Sequence, residues 1–170
     1  MSVMVLRAAR AERDGLTVLA VAITLAAAAW LSIVIISPWA LAHGTGRMLA
    51  LAAYEIGGRI CHQRPERSFH VAGVQMPVCA RCFGLYLSGA VGLGLAWWLR
   101  RRLSPIVTRV ALGVAALPIV VTVALERIGT IAPSNVERML TALPLGLVAG
   151  VVIVGSLAGS ARGLRYDRWR

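Results

Sequence analysis

Lysine is missing from this chain. All 18 basic residues among its 170 are arginine, set against seven acidic ones, for a net charge of +11. With abundant Ala, Gly and Val, an arginine-only set suggests a GC-rich bacterial genome. Charged residues make up only 15% of the chain, while 58% is hydrophobic and the mean hydropathy is +0.75. A soluble domain of this length cannot hide so much apolar surface in one core, which excludes the soluble globular class. Cysteine is also scarce. Three is an odd number, so a framework with every cysteine paired inside the chain is excluded. No internal repeat or low-complexity linker divides the sequence, and residues 1–170 read as a single membrane domain.

The apolar residues are gathered into long blocks. Leu16–Ile36 carries no charge and is long enough to cross a hydrocarbon core of ~30 Å at ~1.5 Å per residue. Pro38 is expected to end it, because proline disfavours helix at the residue before it. Arg7, Arg10 and Arg13 precede this block and Ala40-Leu41-Ala42 follows it, as in a secretory signal. The apolar region is too long and the small-residue site too far downstream for cleavage to be expected. Further spans are expected at about 83–99, 106–125 and 139–159. Trp97 and Trp98 suit an interfacial belt, with Arg100, Arg101 and Arg102 beyond it. Gly84, Gly89, Gly92 and Gly94, and later Gly146, Ala149 and Gly150, would let backbones approach closely. Between the first two spans, Met48, Leu49, Leu51, Ala52, Ile56 and Ile60 recur near helical spacing. They predict an amphipathic connector helix, lying either at the interface or buried across the bundle. The expected fold is therefore all-α: four transmembrane helices and one connector.

A surplus of arginine raises the question of nucleic acid, but these arginines flank apolar blocks, where they anchor helix ends and meet lipid headgroups. The expected partner is the lipid bilayer, with no nucleic acid. Four spans put both termini on one side, which carries 11 arginines in short segments, against 7 on the other. The positive-inside rule then places the termini in the cytoplasm. Residues 61–82 and the connection Glu126–Arg138 fall together on the extracytoplasmic side of the cell membrane.

All three cysteines lie in that long loop, within Cys61-His62-Gln63-Arg64-Pro65-Glu66-Arg67-Ser68-Phe69 and Pro77-Val78-Cys79-Ala80-Arg81-Cys82-Phe83-Gly84-Leu85-Tyr86. Cys79-x-x-Cys82 is expected immediately before a transmembrane helix, whose N-terminal unpaired N–H groups favour thiolates. One reading is a metal site of Cys61, Cys79 and Cys82 with His62 or His70 as the fourth ligand. Zinc is the default ion for mixed sulfur and nitrogen donors. His62 and Cys61 are adjacent, so both can reach one ion only if the chain turns there. A second reading is a thiol–disulfide oxidoreductase that passes electrons from Cys79 and Cys82 to a quinone. It resembles the vitamin K epoxide reductase class in architecture, although that class adds two loop cysteines and only one exists here. A third is a structural or assembly protein with inert thiols or a static Cys79–Cys82 disulfide. Arg64, Arg67 and Arg81 read first as interfacial arginines balancing nearby glutamates, and second as a clamp for an anion. Glu126, at the end of the third span, is expected to pair with Arg81 or Arg138, because an unpaired carboxylate at membrane depth is costly.

On CHQRPERSF at 61–69 and PVCARCFGLY at 77–86, the chain resembles the prokaryotic membrane proteins called the domain-of-unknown-function 2085 family. Ser134-Asn135 followed by Arg138 adds a third segment. The resemblance marks Cys61, His62, Gln63, Arg67, Ser68, Cys79, Arg81, Cys82, Gly84, Tyr86, Asn135 and Arg138, and favours His62 over His70. Glu126 stands in place of an expected aspartate, and Ala142-Leu143-Pro144 in place of an expected glycine. Gln63, Arg67, Arg81, Tyr86, Glu126, Asn135 and Arg138 form the expected polar shell. The resemblance implies no reaction.

Overall fold

Among the described residues, four helices are long and apolar enough to cross a membrane, and they carry a small polar cap. The computed structural model describes residues 2–99 and 104–163, with side chains at 11, 12, 14–99 and 104–157. In chain order the elements are α1 (Ser2–Ala42), α2 (Arg47–Ile60), a 3-10 turn at Pro65–Arg67, β1 (His70–Val71), β2 (Val74–Gln75), α3 (Ala80–Leu99), α4 (Pro105–Arg127) and α5 (Asn135–Gly163). Of the arginines counted on the terminal side, Arg109 alone has a described side chain. Arg7, Arg10, Arg13, Arg100, Arg101, Arg102, Arg162, Arg165, Arg168 and Arg170 lie outside the described side chains.

The four apolar stretches are Asp14–Ala42, Ala80–Leu99, Pro105–Arg127 and Asn135–Leu157, and no more than 28% of any one is buried inside the protein. Leu25, Val91, Val114 and Leu117 all point outward. An apolar exterior of this extent is stable only in lipid, where each helix satisfies its own backbone.

Three boundaries differ from the sequence expectation. Pro38 does not end the first helix, which runs on to Ala42. Its ring and the preceding Ser37 are both buried, and Ser37 Oγ donates to the Ile33 carbonyl at 2.6 Å. Burial of the ring outweighs the one hydrogen bond that proline removes. α3 begins at Ala80, so Arg81 and Cys82 occupy its first turn and do not precede it. α5 begins at Asn135, four residues before Met139. Ser134 and Glu137 explain that start. The Ser134 N–H donates to Glu137 Oε2 at 2.7 Å and the Glu137 N–H to Ser134 Oγ at 3.3 Å, a reciprocal capping box.

α5 is the hub, packing against α1, α3 and α4. Its seam with α3 is backbone on backbone. A Cβ on Gly84 would meet the Met139 carbonyl oxygen at 2.5 Å, and Cβ atoms on Gly92, Gly146 or Gly150 would also strike backbone across the seam. The expected close approach is thus made by four of the glycines, whereas Gly94 faces open space. α3 and α4 both rest on α5 and scarcely touch each other.

The connector α2 packs on α1, and its buried residues are the small Ala50, Ala53 and Gly57. Met48, Leu49, Leu51, Ile56 and Ile60 face outward. Its apolar face therefore meets the surroundings and is not buried across the bundle, which decides between the two expected placements. After the 3-10 turn, β1 and β2 form a hairpin with Ala72 and Gly73 at positive φ in its two-residue loop.

Candidate functional site

Two segments 18 residues apart bring the sulfurs together. Cys61 leaves α2 in an extended conformation, its N–H bonded to the Gly57 carbonyl at 2.8 Å. It is buried against Val34 of α1, Met76 and Val78, and Trp30, Phe69 and Phe83 close the same apolar cluster. Cys79 immediately precedes α3 and Cys82 lies one turn on, so both thiols face the same point. The three Sγ atoms lie within 4.8 Å of one another. None is in a disulfide. The Cys79 N–H donates to Cys61 Sγ at 3.1 Å. The Cys79 and Cys82 thiols, with the backbone at Gln63 and Cys79, hold the Cys61 thiol well below its ordinary range, against the opposing effect of burial.

Amides hold the loop in place. Gln63 sits at φ 45, in the left-handed region, so the chain turns sharply one residue after His62. Its Nε2 donates to the Tyr54 carbonyl at 2.8 Å and the Pro77 carbonyl at 2.7 Å. That binds the end of α2 to the segment leading into Cys79. Gly57 is required at the crossing, because a Cβ there would strike the Pro77 carbonyl oxygen and the Gln63 side chain. Gln75 Nε2 donates to the Gln63 carbonyl at 2.6 Å and to Ser68 Oγ at 3.3 Å. Tyr54 Oη donates to the Gln75 carbonyl. Each amide thus satisfies buried carbonyls that the irregular backbone leaves open.

Beside the sulfurs lies an ion network centred on Glu126, whose side chain is only 10% exposed. Arg81 Nη2 meets Oε2 at 2.6 Å, and Arg138 Nη2 meets Oε1 at 2.8 Å. Arg67 Nη2 reaches Oε1 at 3.3 Å. Arg138 Nη1 donates to Asn135 Oδ1 at 3.1 Å, and Asn135 Nδ2 donates to the Ser68 carbonyl at 3.0 Å. The cysteine loop and the 126–138 connection therefore meet. Glu126 pairs with both arginines between which the sequence left the choice open.

A cavity of about 500 Å³ opens between these groups, lined by Cys79 and Cys82, by His62, and by Leu85, Ile119 and Val123 on its apolar wall. Arg64, Arg67, Arg81, Arg127, Arg138 and Glu126 complete it. Of the expected ligands, Cys61, Cys79 and Cys82 converge. His62 lines the cavity beside Cys79 and Cys82, outside the set of donors that lie within 4.8 Å. His70 is exposed on β1 and does not line the cavity. Tyr86 lies against the sulfur cluster, edge-on to Trp30 with ring centroids 6.2 Å apart. The supporting roles of Tyr54, Gly57 and Gln75, and the place of Arg127 in the lining, were not found from the sequence. They depend on loop closure, and no local spacing announces them.

The family model for the predicted membrane proteins of domain of unknown function 2085 matches residues 61–152. The chain belongs to this family. The match takes in all three cysteines, the ion network and helices α3 to α5 up to residue 152. An uncharacterized protein of Methanocaldococcus jannaschii is 32% identical over 109 residues, covering 64% of this chain and 67% of that protein. An uncharacterized protein of Methanothermobacter thermautotrophicus is 33% identical over 97 residues, covering 55% of this chain and 83% of that protein. Both relatives are archaeal and lend no support to the bacterial source suggested by composition. No solved structure matches.

Proposed function

We propose that this membrane protein holds a zinc ion at Cys61, Cys79 and Cys82, with His62 as the fourth donor. The observation that carries the reading is the convergence of three disulfide-free sulfurs within 4.8 Å from two segments. Tetrahedral zinc with Zn–S bonds of ~2.3 Å sets its sulfurs roughly 3.8 Å apart, so modest rotamer changes close the cluster on an ion. Stabilisation of the Cys61 thiolate suits a metal ligand, which binds deprotonated. The turn at Gln63 and the position of His62 on the cavity favour it over His70. If His62 swings away, the fourth position opens into the cavity, the arrangement of a catalytic site and not of a closed structural one. The arginine bias supports an extracytoplasmic site with both termini in the cytoplasm.

The test is to purify the full chain in detergent, measure bound metal, and titrate free thiols with and without reductant. Stoichiometric zinc, released as the thiols are modified, is expected. Metal-free protein with a reducible Cys79–Cys82 pair would overturn this reading in favour of the quinone-linked oxidoreductase. Metal-free protein with inert thiols would leave a structural or assembly role.

A further inference from the structure

Charge in the cavity does not balance. Five arginines line it against one carboxylate, Glu126. Three of them, Arg67, Arg81 and Arg138, crowd that carboxylate within 3.3 Å while their side chains are 34%, 13% and 11% exposed. One carboxylate neutralises one guanidinium, so two positive charges remain on side chains that water reaches only in part. The Nε atoms of Arg81 and Arg138 are buried and have no partner. Arg127 forms no ion pair among the described residues, and Arg64 has only a 4.0 Å contact with Glu66. A fold that merely needed to satisfy Glu126 would require one arginine. Surplus guanidinium held out of water is costly unless an anion joins it, and planar N–H forks suit phosphate oxygens.

The rest of the cavity describes what carries that anion. Leu85 of α3 and Ile119 and Val123 of α4 continue the lining below the arginines. These two helices both rest on α5 and scarcely touch each other, and Val120, next to Ile119, points outward. The cavity therefore has a basic roof and an apolar wall that leads sideways toward lipid tails. A free oxyanion would use the roof and leave the wall idle. An anionic lipid would use both, its phosphate on the guanidinium forks and its chain on the wall.

We propose that the cavity binds the phosphate headgroup of an anionic lipid, which enters between α3 and α4 with its chain along Leu85, Ile119 and Val123. The inference stands on the arginines and the cleft, and it needs no metal at the sulfurs.

The experiment uses the full chain in a non-ionic detergent, titrated with dihexanoyl phosphatidic acid, dihexanoyl phosphatidylcholine or inorganic phosphate, and follows binding by thermal shift and calorimetry. Saturable binding of the phosphatidic acid is expected, at least tenfold tighter than inorganic phosphate and tighter than the zwitterionic lipid. The double variant Arg64→Gln/Arg127→Gln alters exposed side chains and should fold normally. It should bind the phosphatidic acid about tenfold more weakly, the equivalent of one charge-assisted hydrogen bond. Ile119→Trp fills the cleft and should weaken the phosphatidic acid while leaving inorganic phosphate unchanged. No saturable binding, or binding indifferent to the arginine pair, overturns the proposal. Equal affinity for inorganic phosphate and phosphatidic acid, unaltered by Ile119→Trp, also overturns it and leaves a free oxyanion as the ligand. Zinc content is measured in every sample, so a failed metal reading is visible separately.

Discussion

Replacing Glu126 with glutamine tests the ion network directly. The substitution keeps the shape and removes the one negative charge among Arg67, Arg81 and Arg138. Breaking a buried ion pair by removing one partner costs ~3–5 kcal/mol. The carboxylate is only 10% exposed but borders an open cavity, through which water can screen the orphaned guanidinium groups. We therefore take the low end, about 3 kcal/mol. At roughly 2–4 °C per kcal/mol for a chain of this size, the melting midpoint in detergent should fall by roughly 6–12 °C. The matched control is Glu55→Gln. Glu55 also bonds an arginine, Arg59 at 3.0 Å, but the two side chains are 71% and 75% exposed. Such a surface pair is worth ~0–1 kcal/mol, so this midpoint should move by no more than about 4 °C. If Glu126→Gln melts like Glu55→Gln, the network is not the clamp described here. Added phosphatidic acid should restore more stability to Glu126→Gln than to the wild type, because the anion then replaces the missing charge.

Other expectations are independent of that network. Gly150→Ala would push a Cβ against the Gly89 carbonyl oxygen and to 2.7 Å from the Leu93 nitrogen. It should cost about 1–3 kcal/mol as overpacking, whereas Gly94→Ala, with open space around it, should be neutral or stabilise by up to about 1 kcal/mol. Thermal melting of the two variants side by side checks this. Gln63→Leu strips the Tyr54 and Pro77 carbonyls of their donor. It should destabilise by about 1–3 kcal/mol and lower zinc affinity by loosening Cys61 against Cys79, read by melting and by chelator competition. Serine at Cys79 or Cys82 should reduce stoichiometric zinc to a trace, measured by elemental analysis, while His62→Ala should weaken binding and His70→Ala should not. Protons compete with metal for sulfur, so zinc affinity should fall as pH decreases. The lowered Cys61 thiol resists that competition to a lower pH than an ordinary thiol would, and chelator competition across a pH series checks the direction.

The bundle was legible because four long apolar runs, interrupted by charge only at Arg109, have one stable solution in lipid, and helical spacing from Met48 to Ile60 marked the connector. What escaped was local. Pro38 looked like a stop because its cost is visible in the sequence and the packing that offsets it is not. Hydropathy puts the start of α5 too late, at Met139, because its polar first turn is set by the Ser134-x-x-Glu137 capping box, which hydropathy does not register. The three cysteines declared themselves by clustering within 22 positions, and Glu126 by being a carboxylate at the end of an apolar span. Gln63 and Gln75 did not. An amide that bonds a carbonyl 9, 12 or 14 residues away carries no periodicity.

The wall that α1 provides has a kinetic consequence. Val34 and Trp30 close the side of the cluster where Cys61 is buried, and Cys79 and Cys82 face the cavity. Traffic to the sulfurs thus runs past the arginines. A hydrated dication approaching by that route climbs a repulsive potential, while an anionic complex is drawn in. A zinc ion at these sulfurs would exchange slowly with free zinc, and more quickly with zinc carried by an anionic chelator. Raising the ionic strength should narrow the difference between the two rates.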